Sequence, residues 1–105
     1  VDQDGRDQNF SAASQVNGDH VEVVVTGEVD MSTADALFRA ATPDGVHCAT
    51  LDLSAVTFFD SAAIHAVIRL ADRYPGALEV RPSPQVLRVL EISGLAGQPW
   101  LKPPS

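Results

Sequence analysis

A single cysteine, Cys48, is the first limit on this chain of 105 residues. One thiol forms no intrachain disulfide and no cysteine-based metal cluster. Its apolar neighbours before Leu51 predict a small buried side chain rather than a redox sensor. Lysine is nearly absent too. Lys102 is the only one, the arginines are scattered, and the formal charge is −7. No basic stripe is available to neutralise phosphates, which argues against direct nucleic-acid binding and against an anionic membrane surface. An acidic surface suits a protein partner with a complementary basic face. Apolar runs are short, none near the roughly 18 residues of a membrane span. No basic segment followed by an apolar one stands at the start, so no secretory signal is expected and the chain reads as cytoplasmic.

Chemical signatures are missing as well. There is no glycine-rich phosphate loop. There is no Gly-x-Ser-x-Gly elbow, and no acid is placed to orient a Ser–His pair, so Ser61 and His65 do not read as nucleophile and base. His20 and His47 lie by predicted turns without a cysteine or second histidine at ligand spacing. No catalytic residue, metal or cofactor is expected.

What is present is an ordinary globular composition, 45% hydrophobic, sized for one domain with one modest core. Residues 1–9 are polar and predict a loose tail. Residues 10–16 predict a short edge strand, and Asn17-Gly18 a hairpin turn. Residues 21–25 run into a continuously apolar strand, the mark of one covered on both faces. Ser32 is placed as an N-cap, with Asp35 three residues later in a capping-box position. A short helix over 33–41 would face inward through Ala34, Leu37, Phe38 and Ala41. Residues 48–53 predict the next strand. A helix follows from Ser61 to about Tyr74, and Pro75-Gly76 breaks it. Residues 78–81 predict a strand. Ser83-Pro84 opens a last helix that buries Val86, Leu87 and Leu90 and stops at Gly94. Residues 96–105 have no periodicity and predict an irregular tail, in which Trp100 is a lid over the sheet edge or a loose residue. The body is therefore 10–95, in the order β-β-α-β-α-β-α. That is an α/β fold with a mixed, mostly parallel sheet of about four to five strands and helices packed on it.

The stretch 51–68, LDLSAVTFFDSAAIHAVI, carries the functional argument. Apolar positions at Leu51, Leu53 and, after a turn, Val56 belong to a strand. Ile64, Val67, Ile68 and Ala71 then fall at i, i+3, i+4 and i+7, a helical face. Asp60-Ser61 sits at the handover. A serine at a helix start has free backbone N–H groups beside it and the positive end of the dipole, which suits a phosphate on its own hydroxyl. The plainer reading is an N-cap or first-turn serine. Asp52, inside the strand, is placed to satisfy nearby backbone N–H groups.

Three blocks in order resemble the STAS domain of bacterial anti-sigma factor antagonists (anti-anti-sigma factors). TGEVDMSTADAL resembles the family's opening, LDLSAVTFFDSAAI its Asp-Ser signature, and RPSPQVLRVLEISGL its last helix; the resemblance covers roughly 21–95. The resemblance implies a non-enzymatic transcription regulator. Such a protein binds an anti-sigma factor of the serine-kinase ATPase type and is released when the matching serine, here Ser61, is phosphorylated. Partner contacts are implied at Glu28, Asp30, Phe59, Asp60, Ser61 and His65. The same residues admit simpler roles: Asp60 as a cap, and Glu28 and Asp30 as solvated loop carboxylates. One of Phe58 and Phe59 should be exposed at the junction as an interface anchor. Ala63 stands where the pattern has glycine. His65, where it has another small residue, falls at i+4 from Ser61, on the same helix face. Two other roles fit the resemblance: a STAS subunit docking on an ATPase of a lipid-transporting ABC complex, and a small-ligand or nucleotide-binding STAS domain.

Overall fold

Alternating apolar residues joined by a glycine turn make the first hairpin of the computed structural model, which describes residues 9–102. Strand β1 (Phe10–Asn17) pairs antiparallel with β2 (His20–Val29), Asn17 facing His20. The turn is thus Gly18-Asp19, one residue later than the Asn-Gly centre expected. Gly18 has φ 64°, the positive φ that a type II′ turn needs at its first central residue. Apart from Asn9, the expected N-terminal tail lies outside the described residues.

Helix α1 (Ala34–Ala40) leads to β3 (Cys48–Phe59), then α2 (Ser61–Arg73), β4 (Leu78–Pro82) and α3 (Pro84–Ile92). The sheet order is β1-β2-β3-β4. β2–β3 and β3–β4 are parallel pairs, so α1 and α2 are the crossover helices. This is the mixed α/β sheet predicted.

Strand β3 is longer than expected, because it has no turn before Val56. Val24 pairs with Asp52 and Thr26 with Ala55; Gly27 pairs with Val56 and Glu28 with Phe58. Each irregularity adds one residue to β3, a pair of bulges. The buried residues therefore step from Leu51 to Leu53 by two, then to Val56 and Phe59 by three. That changed spacing imitates a turn in the sequence. Asp52 Oδ1 accepts hydrogen bonds from the Ser54 N–H (3.0 Å) and hydroxyl (2.6 Å) at the first bulge.

One core takes in Val21, Val23 and Val25 of β2, Leu51 and Leu53 of β3, and Val80 of β4, with Leu37, Val67, Leu70, Val86 and Leu90 from the helices. The opposite sheet face, with His20, Glu22, Val24, Asp52, Glu79 and Arg81, stays at least partly open. Cys48 lies on that face, so it is half-buried rather than inside. Its Sγ is 3.1 Å from His20 Nδ1, and His20 Nε2 is 3.0 Å from Thr50 Oγ1. The fold thus joins a histidine and a cysteine that are distant in sequence.

Helix α2 buries Ala63, Ala66, Val67 and Leu70, with Tyr74 at its end. The face is rotated from the expected Ile64–Val67–Ile68–Ala71 stripe; Ile68 is 40% exposed. Alanines at 63 and 66 let the helix lie close to the sheet, and the isoleucines flank the contact. The proline-rich end beyond Leu95 turns back on β4. The Val80 N–H donates to the Trp100 carbonyl (2.8 Å) and the Lys102 N–H to the Val80 carbonyl (2.9 Å). Trp100 and Leu101 are buried there.

Candidate functional site

Where β2 and β3 end, Glu28 pairs with Phe58 and Val29 with Phe59. The ladder closes with the Asp60 N–H donating to the Val29 carbonyl at 3.3 Å. Asp60 then leaves the strand in an extended conformation and caps α2, its Oδ1 accepting from the Ala63 N–H at 3.1 Å. The first helical hydrogen bond runs from the Ile64 N–H to the Asp60 carbonyl, 3.0 Å. Ser61 is thus the first helical residue, and it is exposed. Its N–H and that of Ala62 precede the intrahelical ladder, so they remain free for solvent or an anion. Ala63 is fully buried; its methyl group fills the space under the first turn.

The β2–α1 loop forms the other wall. Asp30 Oδ1 accepts from the Ser32 N–H (2.9 Å) and hydroxyl (2.7 Å). These bonds, the hydroxyl first, hold the Asp30 carboxyl below the ordinary aspartate range. Thr33 Oγ1 accepts from the Asp30 N–H at 2.9 Å and donates to the Glu28 carbonyl at 3.1 Å. The expected Ser32 cap is therefore displaced. Thr33 is the N-cap, without a side-chain capping bond, and Ser32 is drawn back to Asp30. Asp35, expected in a capping box, instead pairs with Arg39 one turn on.

Gly27 sets the approach to this loop. Its φ is +89°, and a Cβ there would lie 2.0 Å from the Asn9 carbonyl oxygen. The close pass lets the Glu28 N–H donate to that oxygen at 2.6 Å.

Glu28, Asp30, Asp60 and Ser61 belong to the same end of the sheet. His65 is exposed one turn along α2 from Ser61. Phe59 does not join the surface: it is 4% exposed and packs in the core, whereas Phe58 is 48% exposed. Pairing in the ladder points successive side chains to opposite faces, so only one of the two reaches the core. Met31 is 82% exposed beside Asp30, at a position that no periodic pattern in the sequence marks. Its one signal was an apolar residue set between Asp30 and Ser32 in a polar loop. Exposed apolar side chains among carboxylates suit a protein partner. Ser61 lies exposed on this capped turn. Among the described residues no three His, Cys, Asp or Glu side chains come together as a metal site, and no helix is long and apolar enough to cross a membrane.

A family model described as "Mlab, STAS domain" matches residues 12–103. No curated protein matches the chain. Among solved structures, an anti-sigma factor antagonist from Mycobacterium paratuberculosis is 26% identical, with 90% of this chain and 86% of that one covered and a TM-score of 0.77. The anti-sigma factor antagonist SpoIIAA in its unphosphorylated form is 21% identical, with 91% and 88% covered and a TM-score of 0.67. The Bacillus cell fate determinant SpoIIAA in the phosphorylated form is 20% identical, with 91% of each chain covered and a TM-score of 0.65.

Proposed function

Because the chain belongs to the STAS domain family, we propose that it is a non-enzymatic anti-sigma factor antagonist whose Asp60–Ser61 end docks on an anti-sigma factor. The partner is of the serine-kinase ATPase type, and phosphorylation of Ser61 releases it. The observation that carries this reading is an exposed Ser61 at the first position of α2, next to the Asp60 cap. Met31 and Phe58 supply apolar contact area at the same end. The relative at 26% identity, an anti-sigma factor antagonist, supports the general role.

The release step is electrostatic. A phosphate adds roughly −1.5 to −2 charges. The α2 dipole tolerates that charge in the free domain. A partner surface packed over the bare hydroxyl does not, and a loss of a few kcal/mol lowers affinity by orders of magnitude.

The test is calorimetric binding of wild type, Ser61→Ala and Ser61→Glu to a panel of serine-kinase anti-sigma factors. Wild type and Ser61→Ala are expected to bind the same member, and Ser61→Glu at least tenfold more weakly. Identical binding by all three, or none, removes the proposal. Capture of the ATPase of a lipid-transporting ABC complex instead would replace it with the STAS-subunit role.

A further inference from the structure

At the far end of the sheet from Ser61 lies a cavity of about 340 Å³. Thr50 lines it, and Thr50 and Phe59 pair with Glu22 and Val29 of β2, so it sits roughly 23 Å along the sheet from Phe59. The chain's only tryptophan, only tyrosine and only lysine all line it: Trp100, Tyr74 and Lys102. We propose that this cavity is a binding site for a small aromatic carboxylate, separate from the docking end.

Apart from Lys102, each polar side chain in the wall already has a partner. The Tyr74 hydroxyl donates to the Ala41 carbonyl at 2.6 Å. Thr50 Oγ1 is bonded to His20 Nε2 at 3.0 Å, and Glu79 is paired with Arg81 at 2.7 Å. The interior therefore has little to exchange for a ligand's buried hydrogen bonds, and the body of the ligand has to be apolar. Aromatic and alanine walls favour a flat ring. The volume lies at the small end of ligand sites, room for one or two rings. Lys102 is exposed at the cavity, and its backbone is fixed by the 2.9 Å bond to the Val80 carbonyl. A mobile ammonium on an anchored backbone is placed to pair with one carboxylate at the mouth.

Trp100 is the only tryptophan, so its fluorescence reports occupancy directly. The experiment titrates the full chain with phenylacetate, 2-phenylethanol and phenethylamine, which share a ring and differ in charge. Saturable change is expected for all rings that enter, with phenylacetate tightest by fivefold or more. Lys102→Ala should erase that preference. Ala71→Phe, which adds bulk to the cavity wall from a partly exposed helix position, should abolish the response while the melting temperature shows that the fold is kept. If Ala71→Phe unfolds the chain, backbone amide NMR shifts of the wild type at Ala49, Ala77 and Leu78 serve in its place. No saturable response at millimolar ligand, tightest binding by the amine, or a response untouched by Ala71→Phe in a folded chain overturns the proposal.

Discussion

The Asp60 carboxylate holds the Ala63 N–H at 3.1 Å, so the one negative charge native to the start of α2 sits beside Ser61. Asp60 fixes the serine's orientation and also limits what a second anion there can gain. A phosphate placed on Ser61 would have the amides of Ser61 and Ala62 to bind, but would meet Asp60 as a like charge. Asp60→Ala should therefore cost about 1 kcal/mol of stability, the usual value of a lost cap. Asp60→Asn, which keeps the cap, should cost much less. Urea denaturation distinguishes them.

The two adjacent phenylalanines make opposite predictions. Phe59 is 4% exposed and Phe58 48%. Phe59→Ala should cost about 3 kcal/mol or more, as for a truncated core aromatic. Phe58→Ala should leave the denaturation midpoint nearly unchanged and weaken partner binding by tenfold or more, as for an interface anchor. Paired denaturation and binding measurements on both variants check this.

Ser83 joins α3 to the bulged part of β3. Its Oγ accepts from the Val86 N–H at 3.1 Å and donates to the Val56 carbonyl at 2.6 Å. Beyond Leu53, β3 has no partner in β4, so this serine satisfies a carbonyl that the sheet does not. Ser83→Ala removes a cap and leaves a buried acceptor unpaired. The expected loss is about 2–3 kcal/mol, a fall of roughly 10 °C or more in melting temperature for a domain of this size.

Tyr74 predicts an alkaline limit. Burial raises its phenol above the ordinary value, and the hydroxyl donates to the Ala41 carbonyl. The folded state thus prefers the neutral phenol. That contribution is intact below the unfolded value of about 10 and is lost as pH rises through the higher folded value. Tyr74→Phe should lower stability at pH 7 by about 1–2 kcal/mol. Between pH 9 and 11.5 its stability should fall less steeply than that of wild type, as followed by urea midpoints.

Much of this was readable from local chemistry. Ser83-Pro84 marked the start of α3, and the Asp60-Ser61 handover from strand to helix is where the pattern placed it. The errors came from tertiary effects. Two bulges in β3 shifted the apolar spacing and imitated a turn before Val56. The α2 stripe was rotated because small Ala63 and Ala66, which carry little weight in a hydrophobic pattern, set the packing distance. Phe58 and Phe59 are equivalent in sequence, and only the ladder register decides which is outside. Ser32 and Thr33 compete for one cap, and the Asp30 carboxylate decides it by taking Ser32. The cavity at Trp100 was hidden altogether, since its wall is assembled from β2, β3, α2, β4 and the C-terminal segment.

The most direct measurement of the proposed docking switch starts from a kinase-type anti-sigma factor selected for binding to this chain. The complex is incubated with ATP, the phosphate is located by mass spectrometry, and the modified protein is re-titrated against the same partner. The account predicts one phosphate, on Ser61, and affinity weaker by a hundredfold or more, about 3 kcal/mol. Phosphate on another residue such as Ser32, or unchanged affinity once Ser61 is phosphorylated, would contradict it.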